Sequence, residues 1–327
     1  MSERTQIIAE VCQNHNGDRK ILAELIAAAA KSGADYVKGQ VIFSEDVTHR
    51  PRFDEGMTEQ NGIVKAIKRP FVAEVERLSK LDLTPDDYRF FVEECVRQGV
   101  KPLITVFTRK RIPFVASLPW SERTIKVASP DCISYPFLRE LAASFDHIII
   151  STGGATDEEI AKAAETVKAA GKKVTLLHCV SIYPNPLNLC NLSRMEYLRA
   201  YTPFVGWSDH TLVERDGIKA AKVASMLGAS HIERHFTVLK ADQSKDGPVS
   251  ITPDLLRGLA DFVRLSKEEQ QKVIEKEIPN WRTLLGVPTR ELSQREALNM
   301  DYFRGRFASR VGERWVYNWE ERPLTED

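Results

Sequence analysis

Residues 204–237, FVGWSDHTLVERDGIKAAKVASMLGASHIERHFT, decide the fold. An apolar run ends in Ser208, Asp209 and His210. A helix follows in which Ala220, Val223, Ala224 and Leu227 recur at the i, i+3, i+4, i+7 spacing that lays one face on a sheet. A second strand, HIERHF (231–236), puts Glu233 and His235 on one face, because strand side chains alternate. The stretch predicts strand, helix, strand, with His210 and His235 near the C-terminal ends of successive parallel strands, where βα barrels hold their chemistry. Two imidazoles so placed can chelate one divalent metal and leave positions open for substrate. The competing reading of either histidine alone is a satisfied core or loop residue.

Upstream the same alternation recurs. QIIAEV (6–11) is a short apolar strand carrying Glu10, and a buried carboxylate needs a partner. An alanine-rich helix is expected over 19–31, ending near Gly33. YVKGQV (36–41) places Lys38 and Gln40 on one face; a lysine there needs an anion, either Glu10 or a bound ligand. Residues 43–80 lose periodicity and read as a long excursion over a barrel mouth, helical toward its end. A helix over 86–98, opened by Thr84-Pro85, leads to the strand LITVF (103–107). TIKVAS (124–129) embeds Lys126, with Ser129 and Asp131 at or just beyond its end. HIIIST (147–152) carries Ser151 into a glycine turn, and Thr156-x-x-Glu159 is a capping box. KVTLLHC (173–179) runs into Ser181 and Tyr183, and a single final helix is expected over 254–276. Eight strand–helix units in about 275 residues predict an α/β fold, a (β/α)8 TIM barrel over 1–279 with a short C-terminal extension over 280–327.

Composition excludes several classes. Lysine plus arginine (46) balance aspartate plus glutamate (46), which argues against a nucleic-acid partner. No apolar run reaches membrane-spanning length, and MSERTQ lacks the basic-then-apolar pattern of a signal peptide, so a cytoplasmic protein is expected. The five cysteines form no CxxC pair and suit reduced thiols. The extension is rich in aromatic residues and arginine, the types enriched in interface anchors, and is expected to pack on its own barrel or across a dimer.

The polar residues gather where strands end. Two buried lysines with several hydroxyls suit a phosphate and a carboxylate on one substrate. Two histidines with a nearby acid suit a metal acting as Lewis acid on a carbonyl. Together they suit carbon–carbon bond formation with an enol phosphate.

The segments IIAEVCQNHNG, GADYVKGQ, IKVASPD, ISTGG, LLHCVSIYP, GWSDHT, GASHIERHFT and KDGPVSITP resemble, in order, the successive motifs of the sialic acid synthase (N-acetylneuraminate synthase) family. That resemblance implies condensation of phosphoenolpyruvate with an open-chain N-acetylated hexosamine, giving a nine-carbon 2-keto-3-deoxy acid and phosphate. It implies that His210 and His235 hold a divalent metal ion, Mn2+ or Mg2+. It implies that Lys38, Lys126, Ser129, Ser151, Ser181 and Ser208 bind phosphoenolpyruvate, and that Gln40, Tyr183 and Asp246 line the sugar site. Glu10 and Asp131 would position the sugar or the attacking water. A homodimer is expected, because the family usually ends in an antifreeze-like domain that closes the partner subunit's site. The 48 residues after Pro279 are too few for that domain. Gly39 stands where the family usually has a larger residue. The alternatives are a related synthase using a phosphorylated sugar, for which Arg50 and Arg52 are the visible basic residues, and a non-catalytic sugar-binding relative.

Overall fold

The computed structural model describes residues 4–324; the start of MSERTQ and the last three residues of the extension lie outside the described residues. Eight parallel strands close into a barrel. They are β1 Gln6–Cys12, β2 Tyr36–Val41, β3 Lys101–Val106, β4 Thr124–Val127, β5 His147–Ser151, β6 Lys173–His178, β7 Val205–Asp209 and β8 His231–His235. Each strand pairs with its sequence neighbours, and β1 pairs with β8 to close the ring.

Strand alternation sorts the side chains into layers. Outward residues such as Ile7, Val37, Ile104, Ile148 and Ile232 pack with Leu22, Leu25, Phe91 and Leu256 of the surrounding helices in one apolar core. Inside the barrel, Ile8, Tyr36, Leu103, Ile149 and Leu177 form a separate apolar floor. Two residues further along the same chain segments come Glu10, Lys38, Thr105, Ser151 and Cys179. The period of two therefore sets a polar layer directly on an apolar one. Gly39 lies between Lys38 and Gln40 and faces the helices, where a Cβ would meet Phe91 Cζ at 3.2 Å. Its small size serves outer packing and leaves the interior of the barrel unaffected.

Local signals explain most helix starts. Thr84 opens the helix Pro85–Arg97 and Thr156 opens Asp157–Ala169, each through a reciprocal capping box. The single helix expected over 254–276 is two, Pro253–Phe262 and Lys267–Glu277. Ser266 caps the second: its hydroxyl accepts from Glu269 N at 3.2 Å, and Glu269 Oε2 accepts from Ser266 N at 2.8 Å. Residues 266–272, SKEEQQK, carry no apolar residue, and the capping box at Ser266 marks where the second helix begins.

The long excursion is structured, with a helix at Arg52–Glu55, a hairpin of Met57–Thr58 with Val64–Ala66, and a helix at Phe71–Ser79. The C-terminal extension folds over the barrel of its own chain through the helix Gln294–Phe303 and the hairpin Ser309–Val311 with Arg314–Val316. The two excursions latch together. Thr48 N donates to Arg306 O and Ala308 N donates to Asp46 O, each at 3.0 Å. The Arg50 guanidinium donates to the carbonyls of Asp301 at 3.1 Å, Arg304 at 2.8 Å and Tyr302, satisfying the C-terminal end of the extension helix. Gly154 has φ +70°, and any side chain there would collide with Met300 of that helix. Among the described residues, no helix is long and apolar enough to cross a membrane.

Candidate active site

A cavity of about 410 Å³ opens at the C-terminal ends of the strands. Glu10, Lys38, Gln40, Lys126, Ser129, Ser151, Ser181, Tyr183, Ser208, His210, His235 and Asp246 all line it. Barrel register brings them together: Glu10 stands opposite Lys38 on one side and His235 on the other.

The two lysines have different surroundings. Lys38 Nζ contacts the Glu10 carboxylate and lies 3.2 Å from Glu233 Oε2. Burial pushes its pKa down to about 8, against the pull of Glu233. Burial also opposes ionisation of Glu233, but the ammoniums of Lys126 and Lys38 outweigh it and hold that carboxyl well below its usual range. Ser208 Oγ donates to Glu233 Oε1 at 3.0 Å, and Gln40 Nε2 donates to Glu10 Oε1 at 3.2 Å. Glu233 thus sits at the centre of the site, although the sequence reading gave it only a face and no role.

Lys126 is 1% exposed, and its Nζ donates to Ser151 Oγ at 2.6 Å and to Val127 O at 2.9 Å. Among the described residues no carboxylate forms an ion pair with it; the nearby acids Glu10 and Glu233 are taken by Lys38. The hydroxyls of Ser129, Ser151 and Ser181 face the same space. At Gly153 a side chain would run into Ser181 Oγ and Cys179 Sγ, so this glycine allows their close approach, while the left-handed turn that follows falls at Gly154.

His210 Nδ1 donates to Val180 O at 3.1 Å, which leaves Nε2 on the Ser208 side at 3.5 Å from its Oγ. The Tyr183 ring lies over His210 with centroids 4.1 Å apart, and the His210 and His235 rings are 5.7 Å apart. Burial pushes His210 down to about 3 and lowers His235 as well. Both are therefore neutral at pH 7, the form that ligates metals. His235 is 8% exposed, and its Nδ1 is buried with no hydrogen-bond partner. Its potential ligand atom lies within 4.8 Å of those of Cys12 and Asp246, and these three residues form a group able to hold a metal ion. His210 stands outside that group, so Cys12 and Asp246 join His235 as candidate ligands beside the histidine pair read from sequence.

Asp131 does not line the main cavity. It caps the turn after β4, accepting from Ser134 Oγ at 3.1 Å and from Asn318 Nδ2 of the extension at 2.8 Å. In place of the cavity it lines an adjoining small pocket with Pro130 and Asn318, its carboxylate held by the extension. Burial raises its pKa to about 6.

The outer wall of the cavity is basic. Arg69, Arg77, Lys245, Arg295 and Arg306 line it, with Glu74 between two of them. Glu74 pairs with Arg77 at 3.0 Å and with Arg306. Burial opposes its ionisation, yet these guanidiniums hold it down at about 2. The basic pair visible in the sequence does something else. Arg50 caps the extension helix, and Arg52 pairs with Asp301 at 2.5 Å. Arg295, Asn299 and Met300 reach the cavity from the extension, and Asn299 Nδ2 donates to Ser181 O at 3.0 Å. Strand periodicity carried no signal for any of these wall residues.

Behind the histidines, Arg234 Nη1 lies 2.6 Å from Asp209 Oδ1, both side chains 0% exposed. Arg234 also donates to Thr211 Oγ1 at 2.9 Å and Gly217 O at 3.0 Å, fastening the loop after β7. Alternation turns this pair outward, while Ser208, His210, Glu233 and His235 turn inward.

Residues 25–275 match the sequence model of the NeuB family. The chain is 32% identical over 264 residues, 79% of its length and 71% of the relative, to the N,N'-diacetyllegionaminic acid synthase of Legionella pneumophila. It is 29% identical over 260 residues, 79% of its length and 66% of the relative, to the N-acetylneuraminate-9-phosphate synthase of Drosophila melanogaster. Among solved structures it resembles the spore coat polysaccharide biosynthesis protein spsE of Bacillus subtilis, with a TM-score of 0.70 at 28% identity, covering 91% of this chain and 77% of that one.

Proposed function

The chain belongs to the NeuB family, and from that premise we propose that it condenses phosphoenolpyruvate with an open-chain N-acetylated hexosamine to give a nonulosonic acid and phosphate. The observation that carries the reading is Lys126, a buried ammonium that forms no ion pair with a carboxylate among the described residues, donating to Ser151 Oγ in a cavity that Ser129 and Ser181 also line. Glu233, whose ionisation Lys126 favours, also pairs with Lys38, so Lys126 has no carboxylate in direct contact and can take a ligand anion. The phosphate and carboxylate of phosphoenolpyruvate supply that anion, and the hydroxyls of Ser129, Ser151 and Ser181 complete the cradle.

In the reaction, C3 of phosphoenolpyruvate forms a bond to the aldehyde carbon of the sugar, water adds to C2, and the C2–O bond to phosphate breaks. Lys126 and Lys38 neutralise the departing phosphate. Glu233 and Glu10 keep Lys38 in place, and Gln40 with Tyr183 orients the sugar. The donor set around His235, with its buried unpartnered Nδ1, fits a divalent metal ion, which His235 would hold, while the His210 ring stands 5.7 Å away, centroid to centroid. When bound, such an ion polarises the aldehyde carbonyl.

A second reading is favoured by the basic outer wall: the acceptor carries an anion, such as a phosphate, at the end remote from its aldehyde. Five cations against the single Glu74 on that wall exceed what a neutral sugar requires. The Drosophila relative, by its name, makes a 9-phosphate.

The test is to incubate purified protein with phosphoenolpyruvate, Mn2+ and either N-acetylhexosamines or their 6-phosphates, measuring phosphate release and the 2-keto-3-deoxy acid formed. Release that requires one acceptor supports the synthase reading and separates its two forms. Phosphate release indifferent to every acceptor would overturn it.

A further inference from the structure

Cys12 is the last residue of β1, two positions beyond Glu10, where the β1–β2 register slips. Its φ is +36°, a left-handed conformation that is uncommon for any residue but glycine. The slip turns its thiol toward the loop after β8, where Cys12 Sγ donates to Asp246 Oδ2 at 3.1 Å. His235 lies one strand over, opposite Glu10 in the register. The ligand atoms of the three residues all fall within 4.8 Å of one another.

The scaffold around them is fixed. Asn14 Nδ2 donates to Phe236 O at 2.8 Å and to Ser250 Oγ at 3.0 Å, and Ser250 Oγ donates to Asp246 O at 2.7 Å. The loop after β1 is thereby tied to both flanks of the loop after β8. Gly247 follows Asp246 because any side chain there would strike the backbone of Ala241. Within this scaffold His235 is 8% exposed, and its Nδ1 has no partner.

We propose that Cys12 is a metal ligand, and that the site is a thiolate–imidazole–carboxylate centre of Cys12, His235 and Asp246. The inference rests on the reading that this cavity takes a divalent metal, and it changes which metal. Thiolate is a soft donor that favours Zn2+, Co2+ or Fe2+ and gives Mg2+ little. Coordination breaks the S–H bond of Cys12; its electron pair goes to the ion and its proton to solvent. With three protein ligands, positions stay open for substrate oxygens. A ligand role also gives the unusual backbone of Cys12 a purpose, since a relaxed strand would not deliver its sulfur to Asp246.

The full-length protein loaded with one equivalent of Co2+ should show near-ultraviolet thiolate-to-cobalt charge-transfer absorption, and the Zn2+ form should show one sulfur scatterer at about 2.3 Å by X-ray absorption. Cys12→Ser should abolish both signals and weaken Zn2+ binding at least tenfold while changing Mg2+ binding little. Cys12→Gly, which accepts the left-handed backbone without strain, should do the same if the serine variant folds poorly. Cys179→Ser should keep both signals, because that thiol lies 3.2 Å from Ser129 Oγ and outside the trio. A metal bound at one equivalent with only nitrogen and oxygen neighbours overturns the ligand assignment and leaves the metal reading standing. A protein that retains no divalent ion at one equivalent overturns both.

Discussion

Asn318 Nδ2 donates to Asp131 Oδ1 at 2.8 Å, tying the end of the chain to the turn after β4. The same Asn318 amide reaches Phe107 O at 2.8 Å, so one side chain joins the extension to two strand ends. Burial raises Asp131 to about 6, compared with about 3.9 in an unfolded chain. The folded state therefore holds the proton more tightly, and stability falls as pH rises between roughly 4 and 6. Asp131→Asn keeps the Oδ1 acceptor and removes this penalty. The variant should gain up to about 3 kcal/mol at pH 7 and nothing below pH 4, read from denaturant midpoints across that range. Parallel curves for the two proteins would show that the carboxyl titrates normally.

Lys126 and Lys38 should separate on substitution. Lys126→Met breaks no direct ion pair, though it removes one of the charges that favour ionised Glu233, so it should lower the melting temperature less than Lys38→Met while the KM for phosphoenolpyruvate rises at least tenfold. Lys38→Met strands Glu10 and Glu233 and should cost about 3–5 kcal/mol of stability. A Lys126 variant that melts early yet keeps its KM would make that lysine structural.

Arg295 is exposed on the first turn of the extension helix and lines the outer cavity wall. With a phosphorylated acceptor, Arg295→Ala should raise the acceptor KM several-fold, and raised salt should mimic the loss. With a neutral hexosamine the KM should not move. Equal effects on both acceptors would remove this arginine from anion recognition.

Arg234 and Asp209 form a buried pair whose members should fail singly and tolerate joint replacement. Arg234→Met alone should lose about 3–5 kcal/mol, and the Arg234→Met/Asp209→Leu double variant should recover much of it. Additive losses in that cycle would mean that the Thr211 and Gly217 contacts of Arg234, and not its charge pairing, hold the loop.

Much of the molecule was legible from local pattern. Period-two strands between amphipathic helices determined the barrel, and alternation put Lys38 with Gln40, and Glu233 with His235, on one face of their strands. That follows from geometry within a few residues, because the direction of a strand side chain depends only on its position along the strand.

Tertiary structure decided which inner residues meet. Barrel register set Lys38 between Glu10 and Glu233 and left Lys126 without a carboxylate in direct contact. A register slip and a left-handed φ at Cys12 brought its sulfur to Asp246, more than two hundred residues away in sequence. Asp131 lines an adjoining small pocket, and the extension brought Arg295, Asn299 and Arg306 to the cavity. Alternation in the sequence reports the face on which a side chain stands. Its partners across the barrel depend on ring closure, strand register and the path of the loops, and those are set by long-range packing that no local period records.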